Sequence, residues 1–186
     1  MSLRTHNVKF TYEDYLLFPE DGRRHELIDG EHFMTPAPSI KHQKIVSRLD
    51  RFLGDYVVRT KMGEVFVAPT DVVLSDLDVV QPDLLFISAA RAFIITEKNI
   101  SGPPDFVIEI ISPTSRKTDE TVKRKLYERC GVREYWIVDP ELETVVIHRV
   151  ADGRYVRAAE LSLEAGHAVE TPLLPGLQLK LSDIFS

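Results

Sequence analysis

Apolar positions along the chain follow two periods. Between Ser39 and Tyr56, the residues Ile45, Val46, Leu49, Phe52, Leu53 and Tyr56 keep the spacing of one helical face, and Ser39 stands where a cap belongs. His42 precedes Ile45 and Val46 by one turn and shares that face, so its plainest reading is a core histidine. A second helix is predicted from Asp119 to Cys130, with Thr118 as cap and Gly131 just past its end. Thr11 can cap a short helix ending near Phe18. Elsewhere the period is two. Glu26 to Met34 reads as a hairpin, because Asp29-Gly30 suits a type I′ turn. Three β-rich stretches follow the Pro36-Ala37-Pro38 break and the long helix: Glu64 to Leu74, Val79 to Ser88, and Pro104 to Ser112. Strands are also expected at Glu134 to Pro140 and Thr144 to Arg149, then extended pieces and a final short turn. The order is helix, three strands, helix, strands, with no repeat or long linker, so residues 1–186 are expected to form a single domain.

Composition narrows the classes. With 44% hydrophobic and 28% charged residues and no long apolar run or signal-peptide pattern, a soluble cytoplasmic protein is expected, without membrane association. The lone Cys130 excludes a disulfide framework within one chain and a cysteine zinc cage. A net charge of −6 argues against binding nucleic acid through bulk positive charge. Ile111 to Tyr135, however, holds seven basic and four acidic residues. This segment is either a polyanion-binding surface or a solvated helix face.

Three charges fall where burial is expected. Phe106 to Ile111 is apolar on both faces, as in a covered central strand, yet Glu109 sits in its middle. Asp83 begins the preceding β segment, so adjacent pairing would bring two carboxylates together as a hard-oxygen site for magnesium or manganese. On a helical wheel with Val122 at 0°, Lys123 falls near 100°, inside the arc that runs from Val122 to Tyr127 at about 140°. Its ammonium then either pairs with Asp119 or points at a site beneath the helix. Plainer roles exist for each group: Glu109 as a structural ion pair with Lys123, Asp83 as a turn cap, and Glu26 as an exposed hairpin residue.

Several pieces together resemble a known family: Gln81-Pro82-Asp83, Glu109-Ile110-Ile111-Ser112-Pro113-Thr114-Ser115, Asp119-xxx-Lys123-xxx-Tyr127, and Gly131 to Pro140. They resemble the Uma-type restriction endonucleases of the PD-(D/E)XK nuclease superfamily. The resemblance runs from the Glu26 hairpin through His42 to Pro140, and more loosely beyond. It implies an α/β fold with a restriction-endonuclease-like core, α-β-β-β-α-β, its mixed sheet flanked by helices, with the hairpin before it and extra β elements after it. It also implies a magnesium-dependent endonuclease acting on DNA, with Asp83 and Glu109 as metal ligands. The superfamily lysine would stand two residues after the glutamate, but Ile111 occupies that place. Lys123 is the expected substitute, with Glu26 as an extra carboxylate and His42 as a neighbour of the site. A homodimer is expected because a duplex has two strands to cut. The departure at Ile111 leaves a second class open: a weak or inactive member of the fold that binds nucleic acid or a protein partner.

Overall fold

The computed structural model describes residues 8–35 and 37–186; residues 1–7, part of the N-terminal stretch without a signal-peptide pattern, and Pro36 of the predicted break lie outside the described residues. Helix α1 (Tyr12–Tyr15) opens on a capping box in which Thr11 and Asp14 satisfy each other's backbone amides. Strands β1 (Arg24–Ile28) and β2 (Glu31–Thr35) form the predicted hairpin. Asp29 and Gly30 both take positive φ, 52° and 72°, as a type I′ turn requires.

Helix α2 (Ile40–Thr60) begins at Ser39, whose side chain accepts from His42 N–H. Its buried Ile45, Leu49, Leu53 and Val57 recur every four residues, and Val57 carries the helix one turn beyond the predicted end. Lys61, at φ 56°, stops it and donates its N–H to the Val57 carbonyl.

Two of the predicted β stretches divide between two sheets. Glu64 to Leu74 supplies β3 (Gly63–Val67) and β4 (Val72–Ser75); Val79 to Ser88 supplies β5 (Asp78–Val80) and β6 (Leu84–Ser88). The divisions fall at Pro69 and Pro82, residues without the N–H that a continuing ladder needs. After a 3₁₀ turn at Ala89–Ile94 come β7 (Ile100–Ser101) and β8 (Phe106–Ile110). The second predicted helix differs from expectation. It enters from Ser112 and Ser115, runs as a π-helix over Thr118–Lys123, and becomes α3 (Arg124–Cys130), ending at Gly131 with φ 84°. Thr118 therefore lies inside the helix and does not cap it. Strands β9 (Glu134–Asp139), β10 (Thr144–Ala151), β11 (Arg154–Ser162), β12 (Ala168–Thr171) and β13 (Leu174–Lys180) and helix α4 (Leu181–Phe185) complete the chain.

The main sheet has the order β11-β10-β9-β8-β6-β3, with β8 and β9 parallel and the other pairs antiparallel. Following α2, β3, β6, β8, the π/α3 helix and β9 reproduces α-β-β-β-α-β. One core cluster joins α2, α4 and β13 to the sheet around a Phe86–Phe106–Trp136 stack, with centroids 5.0 and 4.8 Å apart. The other cluster joins α3 through Leu126 and Tyr127 to Leu85, Val107 and Tyr135. Beside this second cluster stands the five-stranded sheet β2-β1-β5-β4-β7, in which the β4–β5 insertion extends the hairpin. No described helix is long and apolar enough to cross a membrane.

Candidate active site

β6 and β8 pair with Leu84 opposite Ile108, so Asp83, just before β6, lies beside the Glu109-Ile110 end of β8. Asp83 Oδ2 accepts the Ile110 N–H at 2.9 Å, and His42 Nε2 meets the same oxygen at 2.9 Å. Arg24 Nη1 donates to Oδ1 at 2.7 Å. Burial alone would raise the Asp83 carboxyl, but His42 and Arg24 outweigh it and hold the group below the usual carboxylate range. Asp83 thus does more than cap a turn. His42 is buried on α2 as its spacing required, with its Nε2 committed to this carboxylate.

Glu109 shares a strand face with Val107 and Ile111, which pack in the cluster with Leu126 and Tyr127. That face looks toward the helix. Lys123 Nζ lies 3.0 Å from Glu109 Oε1, and Tyr127 donates its hydroxyl to the same oxygen at 2.8 Å. Lys123 also reaches both oxygens of Glu26 at 2.9 Å and approaches Asp119 at 3.9 Å. Glu26 is 2% exposed and is not the exposed hairpin residue that its place beside the turn suggested. Its Oε1 is fixed further by the Gln81 N–H at 2.8 Å.

Asp83 and Glu109 are each 4% exposed and Lys123 is 5% exposed. Burial drives the Glu109 carboxyl up to about 8; Lys123 opposes that rise, and Asp119, Asp83 and Glu26 add to it. Burial likewise lifts Asp119 to about 6 against the pull of Lys123. Burial would lower the Lys123 pKa, but Glu109, Glu26 and Asp119 overcome it, so the ammonium stays charged.

These side chains share a cleft of about 360 Å³ with Arg24, Gln81, Ser112 and Ser115 on its walls. Among the described residues no three His, Cys, Asp or Glu side chains form a ready metal cage. The chemistry of Asp83 with Glu109 nevertheless fits a divalent ion. Both offer hard oxygens, and Glu109 Oε2 accepts no hydrogen bond among the described residues. Even with Glu109 protonated in the metal-free site, Glu26, Asp83 and Asp119 outnumber the cations Lys123 and Arg24 that face them, which leaves negative charge to be balanced.

Ile111, in the position of the superfamily lysine, is a buried core residue, and the only ammonium at Glu109 among the described residues comes from the helix. Arg24, Tyr127 and Gln81 stand outside the set expected from the residues, which had named Asp119 only as a partner for Lys123. Arg24 could have been found from the period of two that sets it on the face of Glu26, and Tyr127 from its i+4 relation to Lys123. Gln81 acts through its backbone N–H, which no side-chain pattern reveals.

No curated protein matches the sequence. A solved structure from Anabaena variabilis ATCC 29413, described as a "putative nuclease belonging to DUF820", superposes with a TM-score of 0.79 at 24% identity, over 95% of this chain and 97% of that one. It has the same fold. The type IIG restriction endonuclease BpuSI gives a TM-score of only 0.40 at 12% identity, over 69% of this chain and 15% of that one, too slight to bear an argument. The sequence model of Uma2, described as "Putative restriction endonuclease", matches residues 12–182, and the chain belongs to that family.

Proposed function

We propose that the protein is a divalent-metal-dependent endonuclease that hydrolyses phosphodiester bonds in DNA. The reading is carried by one observation: two buried carboxylates from adjacent strands face a charged, buried lysine in one cleft. Asp83 and Glu109 would hold the ion, magnesium or manganese, which supplies Lewis-acid polarisation of a phosphoryl oxygen and offsets the carboxylate charge. Lys123 keeps its proton and offers N–H donors to the charge that develops on the phosphoryl oxygens. Glu26 and Asp119 aim that ammonium, while Tyr127 holds Glu109 and Arg24 and His42 hold Asp83. Fixing each group before substrate arrives lowers the reorganisation needed at the moment of reaction.

The test is metal binding measured beside cleavage. Manganese or magnesium at about one hundred times its dissociation constant should stabilise the wild type by about 2.7 kcal/mol, read as a rise in Tm. Asp83→Ala and Glu109→Ala should lose both that rise and the release of fragments from circular DNA. A wild type with no metal-dependent Tm rise and no cleavage in manganese would refute the reading.

A further inference from the structure

Lys41, Lys44, Arg48 and Arg51 recur at three and four residues along α2, forming one basic stripe on its outer side. Lys41 lines the cleft; Lys44, Arg48 and Arg51 line a shallow depression that shares Pro38 with it. Arg48 donates to the Ile184 carbonyl at 3.0 Å, and the Arg51 guanidinium lies 5.1 Å from the Phe52 ring centre, so both are held in place. Among the described residues, none of Lys44, Arg48 and Arg51 forms an ion pair, and Lys41 alone in the stripe has one, with Glu141. In the segment 111–135, Lys123 is inside the site and Arg116, Arg129 and Arg133 are paired with Asp139, Asp78 and Asp105, which leaves Lys117, Arg124 and Lys125, none of them lining the cleft. Through Lys41 the α2 stripe meets the cleft, and it runs about 15 Å from there to Arg51.

The cleft also limits what can enter. Its volume of about 360 Å³ is that of a small-ligand pocket. Apolar walls come from Phe33, Met34, Pro38, Pro113 and Pro140, and the Lys41–Glu141 ion pair joins two residues of its lining at 3.2 Å. Phe33 stands opposite Glu26 across the hairpin, so its ring lies on the side of the site. A phosphodiester reaches the buried carboxylates when its nucleotide enters this space. A nucleotide in a duplex must first unpair and unstack to do so.

We propose that the site takes an unpaired DNA strand: one nucleotide enters the cleft with its base against Phe33 and the proline walls, and the adjoining phosphates follow the basic stripe of α2. This assignment rests on the nuclease reading for the chemistry of the site. It is tested first without metal, by the fluorescence anisotropy of a labelled oligonucleotide, single-stranded or annealed to its complement. The single strand should bind roughly tenfold tighter or more. The double variant Lys44→Ala/Arg51→Ala should weaken single-strand binding and flatten its log–log salt dependence by about 1.4, at about 0.7 for each phosphate no longer neutralised. Its manganese-dependent Tm rise should be unchanged. Cleavage in manganese is then compared on the single strand, on the duplex and on a duplex with a single-stranded flap, and should favour the first and third.

Equal or tighter binding of the duplex, or an unchanged salt slope in the double variant, overturns the strand assignment whatever is cleaved. Single-strand preference with no cleavage of any form supports the strand assignment and removes the nuclease reading. Equal cleavage of all forms without binding preference keeps the nuclease and removes the unpaired strand.

Discussion

Lys123 makes the sharpest single-residue test, because Lys125, two positions along the same helix, has the opposite fate. Lys123 is buried among Glu26, Glu109 and Asp119, whereas Lys125 is exposed. Lys123→Met keeps the stem and removes the charge. Cleavage should fall by at least about two orders of magnitude, as when a donor to a developing charge is lost. The Tm should also drop, since breaking a buried pair from one side costs about 3–5 kcal/mol. Lys125→Ala should leave cleavage and Tm unchanged. Loss of cleavage in Lys125→Ala with full cleavage in Lys123→Met would reverse the assignment. The inward face of Lys123 was legible from residue spacing, which left open a pair with Asp119 or a site beneath the helix. The angular estimate assumed a uniform α-helix, and the π segment breaks that assumption up to Lys123 itself. The inward placement survives because Lys123 is the residue from which the regular α-helix continues, one turn before the buried Tyr127.

Among elements, glycines separate backbone demands that look alike in sequence. At Gly63, at the start of β3, a Cβ would lie 2.0 Å from the Ile87 carbonyl oxygen on the paired strand, and that backbone cannot yield. Gly63→Ala should destabilise by about 1–3 kcal/mol in a denaturant titration. At Gly54, inside α2, an added Cβ meets nothing, so Gly54→Ala should stabilise by about 0.5–1 kcal/mol. Similar Tm values for the two variants would contradict this packing. The same contrast explains what the pattern could give. The α2 helix, the hairpin and the β8 strand were readable because periodicity, caps and an Asp-Gly turn are local. The sharing of β3, β4, β5 and β6 between two sheets was not: Pro69 and Pro82 mark where each stretch breaks, but the sheet each piece joins is set by pairing with strands distant in sequence. The family resemblance names Glu26 as an extra carboxylate, but its burial was hidden from the residue pattern for that reason. Only the second sheet, through β1–β5 pairing, brings the hairpin to Gln81 and so to the helix lysine.

For the molecule as a whole, the crowded carboxylates tie stability to pH. Glu109 has a folded pKa of about 8 against an ordinary value of 4.5, so the folded state holds a proton that the unfolded chain releases. Between those values the folded state binds more protons, and the Glu109 contribution to stability must fall as pH rises. Glu109→Gln should remove this slope: the metal-free variant should lose less Tm than wild type between pH 5 and about 8. Parallel Tm profiles for the two proteins would disprove the linkage. The Glu26–Lys123 ion pair joins residues 97 apart in sequence, one from the hairpin and one from the helix. During synthesis the carboxylates of Glu26, Asp83 and Glu109 all leave the ribosome before the ammonium that opposes them. A chain that stops short of residue 123 therefore lacks the ammonium that Glu26 and Glu109 face. On the proposed mechanism such a fragment has carboxylates for an ion but no lysine to meet the charge developing on the phosphoryl oxygens, and no cleavage is expected of it.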